Sequence, residues 1–213
     1  STTYFRSSAL SPFAPPITTG VAGSVTVSTE RLSMRGGSGI VALSFGDAAA
    51  GDIVVNSGST ELSGALFNAP EPIIFSPTSL LSVSYLRGNA GTIALNTRTL
   101  TMQNGATIST SNLGVGNSGS IKINASESLQ MSSQFYLDGG FSNISSTVGG
   151  VGEFETQALG TGRPIGNAGD VTINTPVLDV NQAGISVGNF GIGAAGTLKV
   201  NATSIRLANG GRT

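Results

Sequence analysis

The stretch GNAGTIALNTRTLTMQNGATISTS, residues 88–111, decides how the rest of the chain is read. After Gly88-Asn89 come a small residue, a glycine and a polar residue, Ala90-Gly91-Thr92. The apolar–polar–apolar triplet Ile93-Ala94-Leu95 follows, and then Asn96. Leu100 and Met102 repeat the alternation, Asn104-Gly105 marks a turn, and Ile108 begins a third alternation. Alternation at period two, in pieces of three to five residues bounded by turn residues, predicts short strands with one buried face. A helix needs apolar residues at three- and four-residue steps, and no such segment occurs in the chain.

Working outward, the same phrase recurs as AGSVTVS at 22–28, AGDIVVN at 50–56, SGSIKIN at 118–124, AGDVTIN at 168–174 and AGTLKVN at 195–201. The anchoring glycines are Gly23, Gly51, Gly91, Gly119, Gly169 and Gly196, at spacings of 28, 40, 28, 50 and 27. Two spacings exceed 28 by 12 and 22, which reads as insertions into one unit. The second alternation recurs as Leu32/Met34, Leu178/Val180 and Ile205/Leu207, and slips by one to Leu129/Met131 in the fourth copy. A third short strand carries Ile40, Ile108, Ile144 or Ile185.

Three short strands per unit of 27–28 residues predict a parallel β-helix, an all-β solenoid. Stacked at about 4.8 Å, six turns rise roughly 30 Å. Val25/Val27, Ile53/Val55, Ile93/Leu95, Ile121/Ile123, Val171/Ile173 and Leu198/Val200 then form two apolar columns. A β-sandwich gives no reason for like triplets at this period, and a propeller blade needs about 40 residues and four strands. The expected organisation is an extended N-terminal arm over 1–20 and one β-helix domain over 21–213, with insertions at about 63–87 and 133–166.

Asn56, Asn96, Asn124, Asn174 and Asn201 follow the first triplet, and Ser28 takes that place in the first unit. Asn tolerates the left-handed backbone of a sharp corner, and stacked inward amides are expected to bond along the solenoid. Asn124, Asn143 and Asn201 lie in N-x-S/T sequons, but a stacked inward amide has no room for a sugar.

Composition excludes whole classes. There are 10 basic and 11 acidic residues, only Lys122 and Lys199 are lysines, and the arginines are scattered, so no phosphate-neutralising surface is expected. Charged residues make up 10% of the chain, against about 25% in ordinary globular proteins. No apolar run reaches the roughly 18 residues of a transmembrane helix. With no Cys and no His, disulfides, a Ser-His-Asp triad and zinc or haem centres are not expected. The chain begins without Met and shows no signal peptide, which reads as a processed or excised segment.

The phrasing of GNSGSIKINASESLQMSS (116–133), GNAGDVTINTPVLDVNQAGISV (166–187) and the opening stretch resembles the haemagglutinin-repeat exoproteins of cyanobacteria. These are similar to the filamentous haemagglutinin of two-partner secretion. The resemblance covers about residues 20–213; the NPNL and NPNG motifs usual near the start of the family's secretion domain are missing. It implies an exported right-handed β-helix, secreted or at the cell surface outside a Gram-negative-type outer membrane. It also implies a transporter partner during export and a role in adhesion or surface structure.

Function in repeat proteins often sits where the repeat is interrupted. The first interruption holds IIF at 73–75 and LLSVSYL at 80–86, expected to pair as a flanking hairpin that either covers the solenoid or offers a partner-binding edge. The second holds Phe135, Tyr136, Phe141, Glu153, Phe154 and Glu155, a sugar or protein contact or a packed flap. GVGNSG at 114–119 matches a dinucleotide-loop pattern but leads into a strand, so it is a repeat turn. Asp52 and Asp170 share the post-glycine position, too sparse for calcium β-rolls. On an extended segment Glu153 and Glu155 meet a glycosidase's carboxylate spacing, and five Asp do not assemble a lyase's acidic cluster.

The resulting expectation is a non-enzymatic, adhesin-like rod with no catalytic, cofactor or metal residues. Its partner is a surface glycan or protein, with no nucleic acid. The alternatives are a subunit assembling with copies of itself into a fibre or sheath, and a polysaccharide-degrading β-helix enzyme.

Overall fold

A computed structural model describes residues 4–8, 22–68, 74–133, 141–149 and 163–213. Among them the chain is all-β, with strands β1–β16 and no helix, hence none long and apolar enough to cross a membrane. Two parallel sheets contain all but one hairpin. The larger holds β2 (Val25–Arg35), β4 (Ile53–Ser63), β8 (Ile93–Gln103) and β10 (Ile121–Ser132). It continues with β12 (Val171–Asn174) and β13 (Val177–Asn181), then β15 (Leu198–Asn201) and β16 (Ser204–Ala208). The other runs β1 (Tyr4–Ser8), β3 (Gly39–Ser44), β7 (Ser79–Ser84), β9 (Thr107–Asn112), β11 (Asn143–Val148) and β14 (Gly184–Asn189).

Each repeat pairs with the next in register. Val25, Ile53, Ile93, Ile121, Val171 and Leu198 form one continuous column, and Val27, Val55, Leu95, Ile123, Ile173 and Val200 the second. The next alternation stacks Met34, Leu62, Met102, Met131, Val180 and Leu207. Ile40, Leu80, Ile108, Ile144 and Ile185 line up on the other sheet. These columns meet in one core in which Ile53, Leu95, Leu100 and Ile108 are fully buried. A single repeat has no second layer against which to bury its apolar face, so the neighbour above and below supplies it.

Several details differ from the expectation. The first two short strands fuse into one strand of 11 or 12 residues in the first four repeats and separate only in the last two, where Thr175-Pro176 and Ala202-Thr203 intervene. The slip in the fourth copy is a β-bulge between Ala125 and Ser128. The flanking hairpin is not IIF with LLSVSYL. It joins β5 (Ala65–Asn68) to β6 (Ile74–Pro77), while β7 lies in the parallel sheet with Leu80 in the isoleucine column. β11 is the third strand expected at Ile144, but it falls inside the stretch read as one insertion over 133–166. β1 falls inside the segment read as an arm and pairs with β3.

Alternation also understates burial. On the sheet of β3, β7, β9 and β11, outward-facing Val41, Val83, Ser109, Ser145 and Thr147 are buried as well. Hydroxyl pairs make this tolerable for the polar members: Ser109 with Ser145 at 3.1 Å, and Ser111 with Thr147 at 3.1 Å.

Candidate functional site

The repeat glycines have a packing reason. A Cβ on Gly51, Gly91, Gly119, Gly169 or Gly196 would stand 1.9–2.3 Å from the carbonyl oxygen of the glycine one repeat below. Buried hydroxyls on the facing sheet bind this corner. Ser82 Oγ accepts from the Gly91 amide at 2.8 Å and donates to Gly51 O at 3.0 Å, and Ser146 Oγ donates to Gly119 O at 2.9 Å. Polar residues at these inward positions are invisible to a hydrophobic-alternation reading, yet they satisfy backbone groups that would otherwise be orphaned in the core.

The asparagine row bonds along the stack as expected. Asn96 Nδ2 donates to Asn56 Oδ1 at 2.9 Å, Asn124 to Asn96 at 2.7 Å, Asn174 to Asn124 at 2.8 Å and Asn201 to Asn174 at 2.6 Å. The row lies on the outside, not inward: Asn56, Asn96 and Asn201 are exposed. A shallow polar trough runs beside it, lined by Ser28, Glu30, Gly58, Thr97 and Arg98. The amides flanking that trough are already tied to one another along the ladder.

Asp52 and Asp170 act as caps. Asp52 Oδ1 accepts from the Thr92 amide at 2.7 Å, and Asp170 Oδ1 from the Thr197 amide at 2.7 Å. The described residues contain no group of three or more His, Cys, Asp or Glu able to hold a metal. Gly114 and Gly116 of the literal dinucleotide pattern pack on Leu86 O and Gly88 O and lead into β10. Glu61 is engaged by Arg31 and Arg35, and Asp179 by Arg206. Phe135, Tyr136, Glu153, Phe154 and Glu155 lie outside the described residues.

A different place stands out. At the entry to the third strand, register aligns Thr107, Asn143, Gly184 and Arg212 in one column. Gly184 contributes no side chain, and an added Cβ there would meet nothing within 4 Å. The missing side chain opens a notch of about 390 Å³ between Asn143 and Arg212, within the size range of small-molecule sites. Phe141, 57% exposed, and the turn residues Gly105, Ala183 and Gly210 complete its wall. Asn143 Oδ1 is buried and has no hydrogen-bond partner. Arg212 has no carboxylate partner among the described residues. The notch therefore offers a cation and an aromatic surface, while the orphaned Asn143 Oδ1 is sealed off from solvent. Of these, the sequence reading singled out only Phe141 as a contact. The column could not be seen without the pairing register, because its successive members stand 28 to 41 residues apart. Comparison with protein-family models, curated proteins and solved structures finds no match to this chain.

Proposed function

We propose that the chain is a stretch of right-handed parallel β-helix that works as an exported surface rod, of the filamentous-haemagglutinin type that its repeats resemble. It presents contact sites to a glycan or protein outside a Gram-negative-type outer membrane, and it binds rather than catalyses. The observation that carries this reading is the notch at Phe141 and Arg212, where an exposed aromatic lies near a cation that has no carboxylate partner among the described residues. The parallel in-register ladders support the rod, because stacked repeats make a stiff, quasi-one-dimensional scaffold. The test is retention of the purified chain on glycan-coated and cell-coated surfaces in a flow cell, with electron microscopy of the same sample. Discrete rods that adhere support the reading; a chain that adheres to neither surface refutes it.

A second reading, end-to-end assembly into a fibre or sheath, draws on Ile205 and Leu207. They sit in the core columns, paired in register with Leu178 and Val180, and columns of this kind extend wherever a further strand pairs in the same register. Filaments with continuous ladders in the same micrographs would favour it over adhesion.

A further inference from the structure

We infer that Asn209-Gly210 is a site of covalent self-modification, where asparagine converts to aspartate and isoaspartate without an enzyme, and that Ser142 withholds the same reaction from Asn104-Gly105. The Asn-Gly pairs of the chain are these two, and both occupy the turn that follows the second alternation of a repeat. The asparagines have φ of 54° and 49°, and the glycines 86° and 81°. The turns close through the Ala106 amide to Gln103 O at 3.3 Å and the Gly211 amide to Ala208 O at 2.8 Å. Two left-handed central residues under such a bond make a type I′ turn, for which Asn-Gly is a favoured pair. Asn104 and Asn209 are both exposed. A glycine nitrogen has no Cβ beside it, so it is the least hindered backbone nitrogen to approach the preceding side chain.

In the reaction, Gly210 N loses its proton to hydroxide and attacks Asn209 Cγ. The new N–Cγ bond closes a five-membered imide, the Cγ–Nδ2 bond breaks, and Nδ2 leaves as ammonia with a proton from water. A second water opens the imide, at Cγ to give aspartate or at the backbone carbonyl to give isoaspartate. The glycine amide separates the two turns. Gly105 is buried, and its N–H donates to Ser142 Oγ at 3.2 Å, while Ser142 Oγ donates to Ser132 O at 2.9 Å. A buried, bonded N–H is shielded from hydroxide and keeps its proton. Gly210 is exposed, and its amide meets no acceptor among the described residues. The consequence is local. An aspartate at 209 cannot donate the bond that Asn209 Nδ2 gives Asn181 Oδ1 at 2.9 Å. Isoaspartate lengthens the turn that leads to Arg212, whose backbone bonds Ala183 and Ile185.

The test is a time course of the full 213-residue chain in mildly alkaline buffer, read by mass spectrometry of the tryptic peptides 99–122 and 207–212. Fragmentation distinguishes aspartate from isoaspartate. The expected result is conversion at Asn209 about tenfold or more faster than at Asn104, the value of one hydrogen bond held in a buried turn. In chain unfolded by urea the two sites should convert at similar rates, which assigns the difference to the fold. Ser142→Ala should speed Asn104 by about tenfold and leave Asn209 unchanged, and Ser142→Thr, which keeps the hydroxyl, should hold Asn104 slow. Melting curves guard against misfolding. Should Ser142→Ala fail to fold, amide exchange on the unaltered chain takes its place, and Gly105 must exchange more slowly than Gly210. Equal rates at the two sites in the folded chain, faster conversion at Asn104, or a folded Ser142→Ala with Asn104 still slow overturns the inference.

Discussion

Replacing Gly91 by alanine would set a Cβ 2.1 Å from the carbonyl oxygen of Gly51, where neither backbone can yield without shifting the ladder. Overpacking of this kind costs about 1–3 kcal/mol or more, so Gly91→Ala should lower the urea midpoint clearly. Gly184→Ala is the control. Its Cβ enters open space, and loss of unfolded-state freedom should leave stability unchanged or raised by about 0.5 kcal/mol. Similar costs for both substitutions would refute the stacked-glycine account. The outer asparagines make a graded prediction. Asn96 bonds to Asn56 on one side and Asn124 on the other, whereas Asn56 has one ladder bond. At about 1 kcal/mol per bond, Asn96→Ala should cost roughly twice what Asn56→Ala does. Equal losses by thermal melting would mean that the ladder adds little and that the corner backbone alone selects Asn.

At the scale of elements, the core columns predict where truncation hurts. Leu100 is fully buried between Thr60 and Leu129, and Leu100→Ala should cost about 2–5 kcal/mol. Ile205 occupies the same column but is half exposed, so Ile205→Ala should cost about 1 kcal/mol or less. Comparable losses in denaturant titrations would mean that β16 is covered in solution. The same columns explain what the sequence could reveal. Period-two alternation beside a phased glycine identified the first-strand partners Val25 to Leu198 and the slip at Leu129, because each signal lies within a few residues. The hairpin was misplaced because LLSVSYL is apolar enough to suit either a flank or the core, and only the register under Ile40 decides between them. Ser82 and Ser146 were passed over because a buried hydroxyl looks like a surface residue until its backbone partner is known. Most of the candidate site was out of reach for a related reason: Gly184 is informative only beside Asn143 and Arg212.

For the whole molecule, parallel ladders in constant register mean that stability accumulates from neighbour to neighbour, and that an insertion is tolerated if its ends close. The first one closes tightly. The Thr78 amide donates to Gly64 O at 2.9 Å, so β5 and β6 leave and rejoin the stack at one point. In the first repeat Arg35-Gly36-Gly37-Ser38-Gly39 makes the same passage in one turn, and in the third Gln103-Asn104-Gly105-Ala106-Thr107 does. Replacing residues 65–77 by a single glycine would recreate that turn between Gly64 and Thr78 and return the spacing of Gly51 and Gly91 to 28. An isolated two-stranded hairpin contributes little stability of its own, and shortening a loop changes closure entropy only slowly. The excised chain should therefore fold with a melting temperature within a few degrees of the parent, about 1 kcal/mol in free energy. Amide exchange should remain slow at Ile53, Leu62, Leu80 and Ile93, whose rungs flank the excision. Collapse of protection at those four residues would show that the hairpin holds the second repeat in place. Retained protection would show that the columns alone hold the register, leaving loops free to vary without disturbing the stack.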